Sequence, residues 1–295
     1  MSLNEVNKML AEQLKTIYDE REAMNIADML IENITGLSRI DRMVQKDLQL
    51  SNAQTEKIKR LTQELLTHKP IQYVLNEVWF AEIKFYVDEN VLIPRPETEE
   101  LCEWIVVNEK SKVKSKKSKI KPQTSLILDI GTGSGCIAVT LKKKMRDAEI
   151  FALDVSEKAL HVAEKNASSN NTEIQFYCLN ILNEDEWKSL PHFDIIVSNP
   201  PYVKESEAAA MQKNVLKYEP HTALFVNDDD AFIFYNKITA FAQHYLKESG
   251  ELYFEINESH SIEVNGIMKN YGFAKIELRK DMQGKYRMIR GEKGA

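Results

Sequence analysis

Apolar residues recur at helical spacing through the first part of the chain. Val6, Leu10 and Leu14 form one stripe on a predicted first helix, because positions three or four apart share a helix face. Ser51 fits the N-cap of a later helix. Residues 1–70 show no strand-like alternation and predict a small helical bundle. The pattern leaves open whether this bundle is only a packing domain or also a docking module for a protein substrate.

The pattern changes after residue 70, where aromatic and β-branched side chains become dense. This density predicts a β-hairpin linker over residues 71–95. Its turn falls at Asn76-Glu77 or at Asp88-Glu89-Asn90. Pro96 then fits the first position of a helix that reaches about Val107.

Short apolar runs alternate with helical stripes in the rest of the chain. Such alternation predicts an α/β domain with a mostly parallel sheet covered by helices on both faces. We assign this domain to residues 96–295. Its predicted strands are 126–130, 149–153, 174–178, 193–197, 251–256, 273–278 and 287–290.

Composition and charge narrow the classes of function. The net charge is −6, whereas broad binding to a nucleic-acid backbone needs a basic surface. Residues 1–10 lack the apolar core of a signal peptide, and no run approaches the roughly 18 apolar residues that a membrane span needs. We therefore expect a cytoplasmic protein that binds neither membrane nor nucleic acid.

The three cysteines and a lysine-rich segment can also be interpreted from the sequence. Cys102, Cys136 and Cys178 lie far apart in apolar or helical surroundings, so we expect reduced core thiols and no metal site. The segment Lys110–Lys121 alternates lysines with serines. It predicts a solvated linker, with a role in holding RNA or an acidic partner as the alternative.

A glycine-rich turn follows the first predicted strand of the α/β domain. Gly131-Thr132-Gly133-Ser134-Gly135 lets the backbone approach a ligand, and the next helix offers free N–H groups. Asp154 ends the next strand, where a carboxylate can accept both ribose hydroxyls of an adenosine. Loop and acid together predict a cofactor that carries adenosine.

A second motif follows the fourth predicted strand of that domain. Asn199-Pro200-Pro201-Tyr202 places a carboxamide on a stiff loop, because proline fixes φ and holds the residue before it extended. The Asn199 side-chain oxygen and the Pro200 carbonyl can each accept one N–H of a planar –NH2 group, and Tyr202 can pack against that group. The alternative is a plain Pro-Pro turn with a capping asparagine.

The two motifs together predict methyl transfer from S-adenosylmethionine to nitrogen, which leaves S-adenosylhomocysteine. The enzyme must mainly hold the nitrogen about 3 Å from the methyl group. The proton can leave after attack, so no strong base is needed. The sequence shows no obvious histidine or glutamate base beside the Asn199 loop.

Several stretches of the chain match one known family. They are Pro70-Ile71-Gln72-Tyr73-Val74, residues 91–99, Leu128 to Gly135, Asp154-Val155-Ser156, Asn199 to Tyr202 and Tyr218-Glu219-Pro220. With them the chain resembles, over nearly its whole length, the HemK/PrmC methyltransferases, which modify the glutamine of the Gly-Gly-Gln motif in bacterial peptide-chain release factors. The Asn-Pro-Pro-Tyr motif alone is shared with enzymes that methylate amino groups of DNA and RNA.

The resemblance implies a fold, a cofactor and roles for named residues. The fold is a helical N-terminal bundle, a β-hairpin linker and a class I, Rossmann-like methyltransferase domain with seven strands. By position, the glycine loop lines the methionine end of S-adenosylmethionine, and Asp154 takes its ribose. Asn180 and Ile181 fall around the adenine, and Asn199 to Tyr202 hold the substrate glutamine. We expect a monomer whose partner is a release factor.

The chain departs from the usual family pattern at several turns. Asparagine or aspartate replaces a common glycine at Asn76, Asn227, Asp230 and Asn257, His260 replaces a common glutamine, and Asn180-Ile181 replaces a common aspartate and its neighbour.

Two other hypotheses remain beside glutamine methylation. An adenine-amine methyltransferase for DNA or RNA would need a basic face, and only the lysine-rich segment supports it. A cofactor-binding scaffold without catalysis would not need the complete Asn199-Pro200-Pro201-Tyr202 loop.

Overall fold

The computed structural model describes residues 1–115 and 124–294. These form two compact units: Met1–Glu77 with Gln212–Tyr218, and Val78–Met211 with Glu219–Ala295. The helices are α1 Leu3–Leu14, α2 Glu20–Thr35, α3 Arg39–Val44, α4 Asn52–Leu65, α5 Ile71–Leu75, α6 Pro96–Ser115, α7 Cys136–Lys144, α8 Glu157–Ser169, α9 Lys213–Tyr218, α10 His221–Leu224, α11 Ile233–Tyr245 and α12 Ser261–Asn270. The strands are β1 Val78–Phe80, β2 Ile83–Phe85, β3 Leu126–Ile130, β4 Glu149–Asp154, β5 Ile174–Cys178, β6 Phe193–Ser198, β7 Val203–Lys204, β8 Phe225–Val226, β9 Leu246–Glu255, β10 Phe273–Lys280 and β11 Tyr286–Lys293.

The first unit contains the helical bundle that the sequence predicts. Helix α4 begins behind Ser51, whose side chain accepts the Gln54 N–H in a capping box. Val6, Leu10 and Leu14 are fully buried in one apolar cluster with residues of α2 and α4. Burying such stripes between helices is what stabilises short helices in water.

The segment after residue 70 differs from its prediction. Ile71–Leu75 is a short helix, not a strand, and Ile71 and Val74 on one of its faces join the bundle core. A five-residue apolar run is too short for its periodicity to separate helix from strand. The hairpin is β1–β2, and its turn is at Ala81-Glu82, where both φ angles are positive. Both predicted turn positions are therefore wrong.

Helix α6 begins at Pro96, as predicted, but continues beyond Val107 to Ser115. It therefore takes in the first part of the lysine-rich segment that we interpreted as a linker. The part of that segment in residues 116–121 lies outside the described residues.

The second unit contains a seven-stranded sheet in the order β10-β11-β9-β6-β3-β4-β5. Strand β11 is antiparallel to both neighbours, and the pairs among β9, β6, β3, β4 and β5 are parallel. This is the class I methyltransferase fold expected from the sequence. Strand β3 lies between β4 and β6, so the chain order reverses there. Open α/β sheets bind ligands at the carboxyl edge of such a reversal.

Alternate residues of the central strands pack into two apolar layers, one on each face of the sheet. Leu128 and Ile196 belong to one layer, and Ile127 and Ile195 to the other. Cys102 and Cys136 are buried, but Cys178 is exposed at the end of β5. The expectation of a third core thiol is therefore wrong, because β5 is an edge strand. Within the described residues, no helix has the length and apolar character needed to cross a membrane.

Candidate functional site

The glycine loop leaves the carboxyl end of β3 in a conformation that ordinary residues rarely adopt. Gly131, Gly133 and Gly135 have φ angles of +72°, +53° and +77°. A Cβ at Gly135 would lie 3.1 Å from the Cβ of Ala163 on α8. The loop therefore needs glycine for its backbone at the first two positions, and for backbone and close helix packing at the third.

Asp154 faces this loop from the end of the neighbouring strand. Its Oδ2 accepts the Gly133 N–H at 2.9 Å, and its Oδ1 accepts the Ser156 N–H at 2.9 Å. Burial raises the pKa of Asp154, and these backbone hydrogen bonds oppose that rise. Each carboxylate oxygen has two lone pairs, so both retain capacity for a ligand hydroxyl.

A cavity opens between the glycine loop and the Asn199 loop. Its empty volume is about 830 Å³ with its solvent-open mouth included. The predicted site residues on its wall are Gly131, Gly133, Asp154, Asn180, Ile181, Asn199, Pro200 and Pro201. The structure thus brings the predicted cofactor and substrate residues to one cavity.

Four predicted site residues are not on the cavity wall. Thr132 and Ser134 are buried beneath the loop, Gly135 starts α7, and Tyr202 packs behind the Asn199 loop against the core. Direct ligand contact by these four residues stays a prediction. Sequence reasoning in turn missed apolar residues of the wall, namely Val91, Leu92, Leu179, Phe234 and Ile238.

The Asn199 carboxamide is held from behind by a chain of side chains. Its Nδ2 donates to Thr98 Oγ1 at 3.3 Å, and the Thr98 hydroxyl donates to Glu255 Oε2 at 2.6 Å. The Tyr202 hydroxyl donates to the other oxygen of Glu255 at 3.5 Å. The nitrogen end of the amide is therefore fixed, and Oδ1 is the atom that can accept a hydrogen bond from a ligand.

Glu255 is a buried acid that the sequence analysis did not identify. Burial raises its pKa from the ordinary value of 4.5 to about 7, against hydrogen bonds from Thr98 and Tyr202 that lower it. The one available signal was its place at the carboxyl end of a strand, the edge where ligand sites form. Thr98 was placed at a helix start and within the family-matching stretch 91–99, but no role was predicted for it.

A second buried acid, Glu219, joins two segments of the cavity wall. Its Oε1 accepts from Arg95 Nη2 at 2.6 Å, and its Oε2 accepts the Ile93 N–H at 3.4 Å. The Glu219 side chain is 1% exposed. Leu92 and Pro220, beside these residues in the chain, both line the cavity. This ion pair gives Arg95, which a helix start alone does not explain, a structural role.

Four of the departures from the family pattern have local explanations. Asn76 ends α5 with φ of +53°, in the left-handed region that glycine prefers and asparagine tolerates. Asn227 and Asn257 instead cap short 3₁₀ helices, where their side chains accept backbone N–H groups. The Asn180 oxygen accepts the Leu182 N–H at 3.0 Å, so it braces its own loop.

Comparison with known proteins agrees with this architecture. Residues 5–75 match the family model PrmC N-terminal domain, and residues 113–222 match the model Methyltransferase small domain. Among solved structures, the delta-N METTL16 MTase domain matches with a TM-score of 0.50 at 17% identity, covering 72% of this chain and 88% of that one. That likeness concerns the fold alone.

Curated relatives match the chain along nearly its whole length. A release factor glutamine methyltransferase of Flavobacterium psychrophilum is 45% identical over 290 residues, covering 98% of this chain and 99% of that protein. Its counterpart in Bacteroides thetaiotaomicron is 34% identical over 287 residues, covering 97% and 99%. The chain therefore belongs to the release factor glutamine methyltransferase family, the HemK/PrmC family that its motifs resemble.

Proposed function

We propose that the protein methylates the side-chain amide nitrogen of the glutamine in the Gly-Gly-Gln motif of a peptide-chain release factor, with S-adenosylmethionine as methyl donor. Full-length similarity to the Flavobacterium psychrophilum relative supports the substrate class. The observation that carries the proposal is the Asn199 carboxamide, held by its nitrogen end at the wall of the cavity. An oriented amide acceptor matches a target that is itself a planar primary amide.

The cavity has the groups that S-adenosylmethionine requires. Gly131 and Gly133 expose backbone without side chains where the charged amino-acid end would lie. Asp154 offers acceptor lone pairs to the ribose hydroxyls. Ile181 and Leu179 give an apolar surface for the adenine. When bound, this cofactor supplies an electrophilic methyl group on a sulfonium that departs as a neutral thioether.

The residues of the clamp, which we define as Asn199, Pro200 and Tyr202, orient the substrate amide. One amide N–H donates to Asn199 Oδ1 and the other to the Pro200 carbonyl, while Tyr202 supports the loop from behind. These two hydrogen bonds increase electron density on the nitrogen and fix its direction. Positioning of this kind is worth several kcal/mol in a bimolecular reaction.

The proton balance requires no strong base. The nitrogen forms one bond to carbon and loses one proton, which becomes acidic once the methyl group is attached and passes to solvent. Glu255, which accepts a hydrogen bond from the Tyr202 hydroxyl, does not line the cavity. It therefore holds the clamp and does not receive the substrate proton directly.

Methyl transfer from labelled S-adenosylmethionine tests the proposal. Purified release factor, the same factor with its Gly-Gly-Gln glutamine changed to alanine, and bulk DNA and RNA are offered side by side. Label on the intact factor alone supports glutamine methylation. Label on nucleic acid, or equal label on both forms of the factor, would overturn it.

A further inference from the structure

One carboxylate connects two residues of the clamp. Glu255 Oε2 accepts from the Thr98 hydroxyl at 2.6 Å, and Thr98 Oγ1 in turn accepts from Asn199 Nδ2. Glu255 Oε1 accepts from the Tyr202 hydroxyl at 3.5 Å. The four residues come from α6, β9 and the loop after β6, so the network forms only when the sheet is assembled.

The direction of these hydrogen bonds determines what the clamp can accept. A threonine hydroxyl has one proton, and here that proton points to Glu255. The Thr98 oxygen is therefore an acceptor toward Asn199 and fixes the amide with its nitrogen inward. An amide turned the other way would present donors to a substrate that is itself a donor.

Burial gives the network its strength and separates it from the ligands. Thr98 and Glu255 are each 2% exposed, and neither lines the cavity. Hydrogen bonds to a buried charged group are stronger than those between neutral groups.

We propose that Glu255, acting through Thr98 and Tyr202, is a positioning residue that sets the orientation of the clamp for methyl transfer. This inference rests on the proposed function, because it concerns the acceptor geometry that a primary amide requires. It assigns a role to Thr98 and Glu255, two residues that do not line the cavity.

The charge state of Glu255 determines whether it can accept hydrogen bonds from both the Thr98 and the Tyr202 hydroxyls. A carboxylate accepts from both hydroxyls, whereas a neutral acid accepts from one and must donate to the other. The groups that act on it are Glu97 and the Thr98 hydroxyl from α6, the Tyr202 hydroxyl, and Arg287 from β11. It acts in turn on Cys102 of α6, Cys136 of α7 and Tyr235 of α11. With a pKa of about 7, Glu255 changes between these states near neutral pH.

Thr98→Val and Thr98→Ser test the hydrogen-bonded connection from Glu255 through Thr98 to Asn199. Valine keeps the shape and removes the hydroxyl, so we expect kcat to fall by about 10-fold with little change in the dissociation constant of S-adenosylmethionine. Serine restores the hydroxyl and should recover most of the rate. Thr140→Val is the matched control, because its buried hydroxyl has no hydrogen-bond partner among the described residues.

Glu255→Gln tests the dependence on charge. We expect wild-type kcat, divided by that of the variant, to rise by about fivefold from pH 6 to pH 8 as the carboxylate forms. Thermal unfolding of each variant shows whether it is folded at both pH values. The ratio cancels titration of the cofactor and of other groups, including the buried Asp129, whose pKa is raised to about 7 by burial.

Two outcomes would overturn the inference. One is equal kcat for Thr98→Val, Thr98→Ser and wild type; the other is a constant wild-type to Glu255→Gln ratio across pH. Both are read against wild-type transfer to the release factor. Absence of that wild-type transfer would instead contradict the proposed function itself, so the two failures are distinguishable.

Discussion

The two walls of the cavity are built in different ways. On the glycine-loop wall, the hydrogen bond from Gly133 to Asp154 joins residues 21 apart and uses a backbone donor. On the clamp wall, the bond from Asn199 to Thr98 joins side chains 101 residues apart, and that from Thr98 to Glu255 spans 157. The first wall depends on the local geometry of a backbone turn, and the second depends on hydrogen bonds between side chains that are distant in sequence.

This difference separates what each wall contributes. Backbone groups in a fixed turn bind a ligand without further ordering, which suits a cofactor common to many reactions. Side chains held by a buried network can be oriented for one target group, which suits the substrate. We therefore expect changes on the first wall to act on cofactor affinity or stability, and changes on the second to act on the rate of transfer.

The largest expected effect is at the clamp itself. Asn199→Ala removes the acceptor that we propose for the substrate amide and should slow transfer by about 100-fold, because mispositioning alone can cost that much. Binding of S-adenosylmethionine, measured by calorimetry, should stay within a few-fold of wild type. Asn52→Ala, at an exposed position on α4, is the control. Near-normal turnover of Asn199→Ala would remove the clamp from the mechanism.

The next effect concerns the stability of the glycine-loop wall. Gly135→Ala combines a positive φ with a Cβ 3.1 Å from Ala163, whereas Gly133→Ala has a positive φ with no atom within 4 Å. We expect the free energy of unfolding to fall by about 1 kcal/mol for Gly133→Ala and by at least about 2 kcal/mol for Gly135→Ala. Urea denaturation of cofactor-free protein measures both. Equal losses would mean that the close contact between residue 135 and Ala163 on α8 does not contribute to the free energy of unfolding.

A smaller effect is expected at Asp154. Asp154→Asn keeps one acceptor oxygen, but its new NH2 group faces a backbone N–H that the carboxylate accepted. Cofactor affinity should therefore fall by about 10-fold. The rate at saturating cofactor should change little. Asp147→Asn, an exposed change of the same kind, is the control. A lower rate with unchanged cofactor affinity would contradict the assignment of Asp154 to cofactor binding.

The last expected effect concerns a different property, the pH dependence of stability that Glu255 contributes. Its folded-state pKa of about 7 lies above the ordinary value of 4.5, so the native state holds this proton to higher pH than the unfolded chain does. The stabilisation is full below about pH 4.5 and is lost as pH rises through about 7. Wild type should therefore lose more Tm than Glu255→Gln between these values. Parallel Tm curves would contradict the raised pKa.

The sequence predicted the glycine-loop wall better than the clamp wall for the same structural reason. Gly131 and Asp154 lie in short motifs whose backbone requirements are visible locally, and the alternation of strands and helices gives the sheet. Thr98 and Glu255 reach each other only through the strand order of the finished sheet, which no local pattern encodes. Ile71–Leu75 is helical because its apolar face completes the bundle core, a tertiary effect.

The most direct test of this account is a crossed measurement on Asn199→Ala and Asp154→Asn. For each variant, the S-adenosylmethionine dissociation constant and the single-turnover rate of transfer to release factor at saturating cofactor are measured together. We expect Asn199→Ala to lose rate and keep affinity, and Asp154→Asn to lose affinity and keep rate. Loss of both properties in both variants would contradict the division of the cavity into a binding wall and an orienting wall.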